Sequence, residues 1–177
     1  MIRLEHIEIT PVKIEDAWKI CDFAVANEHR MKAYFPLTLA QNLTPDLSKR
    51  FTTLKAKQFE TNEEYLFIVK PKESRAVIAL VYIKELDWDK HHGEFAYCVD
   101  YNWEGKGITS LVVKELSKFA FTKLNLKTLE IKVHKDNIAS VRVAEKCNFT
   151  WQRTLKNEYT PPGGNPMDME LYELYKV

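Results

Sequence analysis

The sequence has 177 residues, 45% of them hydrophobic and 29% charged, a composition typical of an ordinary globular protein. Lysine and arginine number 26 against 25 aspartates and glutamates, so no overall charge favours nucleic acid or an anionic membrane as partner. The longest apolar run, residues 76–83, is far shorter than the ~20 residues that span a bilayer. We therefore expect one domain over residues 1–177, with no membrane and no nucleic acid as partner.

The three cysteines, Cys21, Cys98 and Cys147, are scattered among apolar residues and form no Cys-x-x-Cys pair. An odd number without that spacing argues against a disulfide framework and against a zinc site. The first residues lack the pattern of a signal peptide. We expect a reduced, cytoplasmic protein that holds no metal, and the sequence leaves open whether it is a monomer or a homodimer.

Hydrophobic periodicity and turn residues predict the elements in chain order. In the first half we expect a strand over 3–12, a helix over 15–32, a loop over 34–47 and a helix over 47–61 whose cap is Thr44 or Asp46. Three strands then follow, at 66–70, 76–85 and 94–99. The second half predicts a helix over 108–123, a strand over 127–134, a helix over 137–146, and strands over 149–156 and 167–175.

This order of elements predicts the fold class. Strands in series pair as antiparallel hairpins, whereas strand–helix–strand units give parallel neighbours. We therefore expect an α/β (α+β) protein with a central mixed, mostly antiparallel sheet of about seven strands and helices on both faces.

A glycine-paired turn at residues 100–110 joins a predicted strand to a predicted helix. Gly105 and Gly107 allow an anion to approach the backbone, and the first N–H groups of a helix have no partner within the helix. Lys106 is followed by Gly107 instead of Ser or Thr, which excludes a Walker-type phosphate loop, and the third glycine of a dinucleotide fingerprint is missing. Two interpretations remain: a turn that holds one pyrophosphate, and a plain strand-to-helix turn.

Asn137 and Ser140 lie three residues apart at the start of a predicted short helix. This spacing lets both side chains face the same side of the helix. Asn137 is also a good N-cap, so the pair alone does not distinguish a binding site from a helix start.

Together, the two stretches resemble the GNAT superfamily of N-acetyltransferases. Asn-Trp-Glu-Gly-Lys-Gly at 102–107 is similar to its Gln/Arg-x-x-Gly-x-Gly/Ala acetyl-CoA motif, and Asn-x-x-Ser at 137–140, followed by Glu-Lys at 145–146, is similar to its later motif. The strand Glu-Phe-Ala-Tyr-Cys-Val at 94–99 resembles that of the Rim-type branch, which acetylates the N-termini of ribosomal proteins. The chain departs from the family at Asn102, Ala96 and Asn148, where Gln or Arg, Gly and Gly are frequent.

The resemblance implies acetyl-CoA as co-substrate, attacked directly by an amine in a ternary complex. The pantetheine arm would lie along one strand, beside Tyr97, Cys98 and Val99, with Asn137 as a further contact. Lys146, with Arg142, would meet the 3′-phosphate, and a solvated pair on the helix surface is the alternative for these two residues. The pyrophosphate would be held by the backbone of the glycine turn, at Trp103, Glu104, Gly105, Lys106, Gly107 and Ile108.

For the chemistry, the resemblance implies Glu94 as the base for the amine and Ser140 as hydrogen-bond donor to the departing CoA thiolate. By strand alternation Glu94 shares a face with Ala96 and Cys98, an apolar setting that makes a carboxylate a better proton acceptor. The alternative is that Glu94 is a solvated residue of a hairpin, since it directly follows Gly93.

The acceptor implied is a primary amine, and a protein N-terminal α-amino group is the leading candidate. Acetylation of a small amine, such as a polyamine, an aminoglycoside or an amino acid, is the alternative within enzymes. A catalytically silent acyl-CoA-binding module, which would keep the glycine turn but need neither Glu94 nor Ser140, is the alternative outside them.

Overall fold

The computed structural model describes residues 1 to 177. The strands are β1 (Ile2–Arg3), β2 (Ile7–Pro11), β3 (Tyr65–Pro71), β4 (Ala79–Asp87), β5 (His92–Val99), β6 (Thr128–Val133), β7 (Thr150–Tyr159) and β8 (Met167–Tyr175). The α-helices are α1 (Ala17–Ala26), α2 (Glu28–Tyr34), α3 (Pro36–Ala40), α4 (Pro45–Glu60), α5 (Ile108–Thr122) and α6 (Ile138–Lys146).

The eight strands form one sheet in the order β1-β2-β3-β4-β5-β6-β8-β7. The β1–β2, β2–β3, β6–β8 and β7–β8 pairs are antiparallel, whereas β5 and β6, which α5 separates in the chain, are parallel. The predicted mixed and mostly antiparallel sheet is confirmed. The additional strand is β1, whose Ile2 pairs with Ile9.

The chain divides into two compact units, and the second interrupts the first. The first comprises residues 1–82 and 97–106, and the second comprises residues 83–96 and 107–177. Two of the boundaries fall inside strands, since residue 82 lies in β4 and residue 96 lies in β5.

In the first unit a buried carboxylate accompanies the apolar core. Asp16 is only 4% exposed, and its Oδ1 lies 3.3 Å from Lys19 Nζ and 3.6 Å from Lys70 Nζ. The backbone N–H of Lys13 donates to its other oxygen at 3.1 Å. These partners offset the cost of burying a charge at the start of α1.

In the second unit the alternation of β6 sets one apolar and one polar face. Leu129, Ile131 and Val133 are buried, while the residues between them are half-buried. The Phe95 and Phe149 rings meet edge to face at 6.2 Å between centroids, which adds an aromatic pair to this core.

Two predictions for the first half of the chain are wrong in part. The helix expected over residues 15–32 is broken at Asn27, whose φ of −109° and ψ of 19° separate α1 from α2. The loop expected over 34–47 contains α3, which begins at Pro36, a residue well suited to the first turn of a helix. The cap of α4 is Thr44, whose hydroxyl accepts from Leu47 N at 3.3 Å.

No helix is long and apolar enough to cross a membrane. All three cysteines are free thiols and are buried.

Candidate active site

The glycine turn leads from β5 into α5. After β5 the chain makes one 3-10 turn, Tyr101–Trp103, and then two glycines take up left-handed backbone, Gly105 with φ 69° and Gly107 with φ 77°. A Cβ built at either glycine would meet no atom within 4 Å. The glycines are therefore required by the backbone conformation, and side-chain packing does not account for them.

The start of α5 has no side-chain cap. Gly107 is its N-cap, no side chain accepts from the first turn, and that turn holds no acidic residue. By contrast, Thr44 caps α4 and Asn137 caps α6 through side-chain oxygens. The first N–H groups of α5, together with the positive end of its dipole, are thus suited to an anion.

Lys106 and Trp103 form a cation–π pair beside the turn. Lys106 Nζ lies 4.9 Å from the centroid of the Trp103 ring, and Lys106 takes part in no salt bridge. Trp103 is half-buried, while Lys106 is exposed. The lysine charge is held over the ring and is not cancelled by a carboxylate.

The buried amide of Asn27, which sequence reasoning missed, ties the junction of α1 and α2 to the segment before the glycine turn. Its Nδ2 donates to Phe23 O at 2.9 Å and to Asp100 Oδ2 at 3.0 Å, while its Oδ1 accepts from Tyr101 N at 3.0 Å. Asn27 is 3% exposed. Asp100 in turn accepts from Asn102 N at 2.8 Å and caps the 3-10 turn.

Arg30, also missed, makes two further contacts to the same segment. Its Nη1 donates to Val99 O at 3.0 Å, and its Nη2 forms a salt bridge with Glu104 Oε1. Arg30 is 69 positions from Val99 and 74 positions from Glu104 in the chain. No local pattern in the sequence could have indicated either contact.

The segment of β5 that we expect to hold the pantetheine arm lies beyond the last residue pair between β5 and β6. Pairing of β5 with β6 runs from His92↔Thr128 to Phe95↔Ile131, so Tyr97, Cys98 and Val99 follow its last pair. Val99 O already accepts from Arg30, and this carbonyl is therefore not available to the pantetheine arm.

Cys98 is an unreactive thiol in this strand. The residue is 8% exposed, and burial raises the pKa of its thiol to about 11. It is therefore protonated at neutral pH, when a thiol is a weak nucleophile. An acetyl-cysteine intermediate at Cys98 is disfavoured.

At the start of α6 the structure brings Asn137 and Ser140 together. Asn137 Oδ1 accepts from Ser140 N at 3.2 Å, and both residues are half-buried. Lys146, exposed at the other end of α6, lies about 9 Å from Ser140 along the helix axis. Next to it, Cys147 Sγ donates to Ser110 O at 3.3 Å and joins that end to the first turn of α5.

Asn148 explains one departure from the family pattern. It follows α6 with φ 64°, a left-handed conformation in which glycine is favoured and asparagine is tolerated better than most residues. The frequent family glycine is thus replaced without loss of the helix-ending turn.

Glu94 occupies a setting that neither sequence interpretation describes. Glu94 is only 7% exposed, so it is not a solvated hairpin residue. Its carboxylate lies 3.0 Å from Lys84 Nζ and 3.3 Å from Lys132 Nζ. The setting is therefore not apolar either. Lys132 also reaches Glu158 at 2.8 Å. Burial acts to lower the pKa of Lys132, but the hydrogen bond with Glu158 and the charges of Glu94 and Glu158 raise it overall.

A histidine–glutamate pair lies beside Glu94. His92 Nε2 is 2.9 Å from Glu130 Oε1, without the alignment of a hydrogen bond, and Glu130 is the register partner of Glu94. No group of three or more His, Cys, Asp or Glu side chains is placed to hold a metal ion. The polar groups around Glu94 thus form a charged network of lysines, glutamates and one histidine.

Comparison with known proteins gives the family. The model of the acetyltransferase (GNAT) domain matches residues 6–150, and the chain belongs to this family. It is therefore an N-acetyltransferase that uses acetyl-CoA as co-substrate.

Individual relatives and solved structures are similar at low identity. An uncharacterized N-acetyltransferase, p20 of Bacillus licheniformis, is 25% identical over 97% of this chain and 94% of its own length. The spermidine N(1)-acetyltransferase of Escherichia coli is 26% identical over 58% of this chain and 54% of its own length.

Among solved structures, the ribosomal-protein-S5-alanine acetyltransferase of Vibrio fischeri has a TM-score of 0.91 at 22% identity, covering 98% of this chain and 95% of that one. The microcin C7 self-immunity acetyltransferase MccE, solved with acetyl-CoA and AMP, has a TM-score of 0.89 at 18% identity, covering 98% and 94%. These likenesses confirm the GNAT fold predicted from the sequence.

Proposed function

We propose that this chain transfers the acetyl group of acetyl-CoA to the α-amino group at the N-terminus of a protein, as one acyltransferase domain over residues 1–177. The observation that carries the cofactor half of this proposal is the uncapped start of α5 behind two left-handed glycines. Its free N–H groups suit the pyrophosphate of CoA. Three free cysteines support a reducing, cytoplasmic setting.

The choice of acceptor rests on chemistry and on likeness. An amine must be neutral to attack a thioester, and an α-amino group with a pKa of about 7.7–8.0 loses its proton more easily than a lysine at about 10.4. The structural likeness to the S5-alanine acetyltransferase of Vibrio fischeri supports the same kind of acceptor.

In the proposed reaction the amine nitrogen attacks the thioester carbonyl, the carbon–sulfur bond breaks, and CoA leaves as a thiolate. Ser140 donates a hydrogen bond to that sulfur. Glu94 takes the amine proton, directly or through water, and must exchange a lysine partner to do so, since Lys84 and Lys132 both contact its carboxylate.

A small amine is the second candidate acceptor. The similarity to the spermidine N(1)-acetyltransferase of Escherichia coli, which extends over 103 residues, is the observation that favours it. Purified protein is supplied with acetyl-CoA and either peptides that carry a free α-amino group or spermidine, and CoA release is followed. Faster turnover with spermidine than with every peptide would replace the leading candidate.

The cofactor site is tested by comparing two glycine variants. Gly107→Ala is expected to weaken CoA binding about tenfold in calorimetry, because the turn must distort to relieve its left-handed strain. Gly163, with φ 71° and equally open surroundings, provides the matched control. If Gly163→Ala and Gly107→Ala bind CoA equally well, the pyrophosphate is not held at this turn.

The base is tested by two carboxamide variants that each remove a partner of Lys132. Glu94→Gln is expected to lower kcat at least 100-fold, the usual contribution of a general base. Glu158→Gln breaks the 2.8 Å pair with Lys132 at a more exposed position and is expected to change kcat less than about threefold. Similar, small losses in both would assign Glu94 a structural role.

Ser140 is tested in the same assay. Ser140→Ala is expected to lower kcat about tenfold, the value of one lost hydrogen bond to a developing charge, without changing CoA affinity. Full turnover in this variant would remove Ser140 from the mechanism.

A further inference from the structure

A carboxylate stands inside the turn proposed to hold the pyrophosphate. Glu104 lies one residue before Gly105, it is exposed, and the turn carries no other acidic side chain between Trp103 and Ile108. Like charges repel, so an ionised Glu104 opposes the binding of a phosphate group nearby. A turn built for an anion needs this charge to be cancelled.

Arg30 supplies that cancellation from a distant part of the chain. Its guanidinium forms a salt bridge with Glu104 through Nη2, and through Nη1 it donates to Val99 O at 3.0 Å. One planar side chain thus joins the last residue of β5 to the glycine turn. The Arg30 and Glu104 side chains are 29% and 44% exposed, so the pair lies at the surface, where solvent and salt screen it.

The neighbouring Asn27 holds the same segment without charge. Its amide contacts Asp100 and Tyr101 at 3.0 Å each. The two side chains therefore separate the effects: Asn27 acts by hydrogen bonding alone, and Arg30 acts by hydrogen bonding and by charge.

We propose that Arg30 is a positioning residue for acyl-CoA, which neutralises Glu104 and fixes the end of β5 so that the glycine turn accepts the pyrophosphate. This inference rests on the proposed function, in which residues 103–108 hold that group. Arg30 itself contacts neither the cofactor nor the reacting atoms in this proposal.

Charge cancellation is tested by a double-mutant cycle. Arg30→Met is expected to weaken CoA binding about tenfold in calorimetry, because Glu104 is left unpaired beside the anion. Arg30→Met combined with Glu104→Gln is expected to recover most of that affinity, and Arg30→Lys is expected to stay within about threefold of the unmodified protein. Equal weakening in Arg30→Met and in the double variant would overturn the proposal.

A shortened acyl donor gives the second readout. S-acetyl-pantetheine lacks the pyrophosphate, so Arg30→Met is expected to raise KM for acetyl-CoA several-fold more than KM for S-acetyl-pantetheine, which senses only the released end of β5. The loss with acetyl-CoA is also expected to shrink as salt is added. A loss of the same size with both donors would show a merely structural role and would overturn the proposal.

Two controls keep the outcome clear. Asn27→Ala is expected to weaken CoA binding too, but Glu104→Gln is not expected to restore it, since the uncharged Asn27 amide does not neutralise Glu104 and binds Asp100 and Tyr101 instead. Glu104→Gln alone keeps the backbone that is proposed to hold the pyrophosphate and removes only a side-chain charge, so it is expected to bind CoA more tightly than the unmodified protein, and this holds even if Arg30→Met fails to fold. Weaker binding by Glu104→Gln would overturn the proposal.

The failure of this inference differs from the failure of the proposed function. If Gly107→Ala weakens CoA binding while Arg30→Met does not, only the role of Arg30 is wrong. If Gly107→Ala binds CoA as tightly as Gly163→Ala, the pyrophosphate lies elsewhere and both proposals fail.

Discussion

At the scale of single residues, the buried thiol of Cys98 gives a prediction about pH. Burial raises the pKa of this thiol from 9.0 to about 11. A raised pKa in the folded state means that its contribution to stability is complete below pH 9 and is lost as the pH rises from 9 to 11.

We therefore expect the free energy of unfolding to fall about 2 to 3 kcal/mol more between pH 9 and pH 11 in the unmodified protein than in Cys98→Ala. Urea unfolding at several pH values gives the free energy of unfolding of the unmodified protein and of Cys98→Ala. The buried Cys147, whose pKa is also raised by burial, is common to both proteins and cancels in the difference. Parallel curves would contradict the prediction.

At the scale of elements, two helices of similar design give a matched pair. Asn137 caps α6 by accepting from Ser140 N at 3.2 Å, and Thr44 caps α4 by accepting from Leu47 N at 3.3 Å. Replacing either Asn137 or Thr44 by alanine is expected to lower the free energy of unfolding by about 1 kcal/mol.

The two variants should differ in cofactor binding. Asn137→Ala is expected to weaken CoA binding about threefold to tenfold, since Asn137 is also a proposed contact of the pantetheine arm. Thr44→Ala is expected to leave CoA affinity unchanged at the same cost in stability. Thermal unfolding measures the stability of both variants, and calorimetry measures their affinity for CoA. If Asn137→Ala and Thr44→Ala bind CoA equally well, Asn137 is not part of the site.

At the scale of the whole molecule, the interrupted first unit predicts how fragments behave. Residues 1–82 lack the segment 97–106, where Asp100 N donates to Ile78 O at 2.8 Å and where the buried amide of Asn27 finds two of its partners. An unsatisfied buried amide costs about 1–3 kcal/mol, a large share of the stability of a domain.

We expect a fragment of residues 1–82 to unfold without a cooperative transition in urea, followed by circular dichroism. A fragment of residues 1–106 keeps these contacts and is expected to hold more helix under the same conditions. A sharp transition in 1–82 would show that the segment 97–106 is not needed for the first unit.

The part of this molecule that the sequence predicts is the part that local chemistry determines. The left-handed turn at Gly105 and Gly107, the Asn137 cap and the alternation of β6 each depend on a few adjacent residues. For the same reason the order of elements was sufficient to predict the class of sheet.

The rest depends on contacts between residues far apart in the chain. Nothing near Asn27 indicates that its amide binds Asp100, 73 positions later, or that a helix should break there. The alternation of β5 placed Glu94 beside Ala96 and Cys98, but its surroundings are decided by Lys84 and Lys132 on neighbouring strands. Side chains across a sheet follow from register, which a single sequence does not specify by itself.

The two outer strands of the sheet bear on self-association. β1 is only two residues long, and β7, at the other edge, is irregular in its register, carries Arg153 and Lys156, and turns left-handed at Asn157 with φ 53°. Short, charged and bulged edges resist the addition of a further strand. A dimer of this protein is therefore not expected to extend the sheet from one protomer into the other.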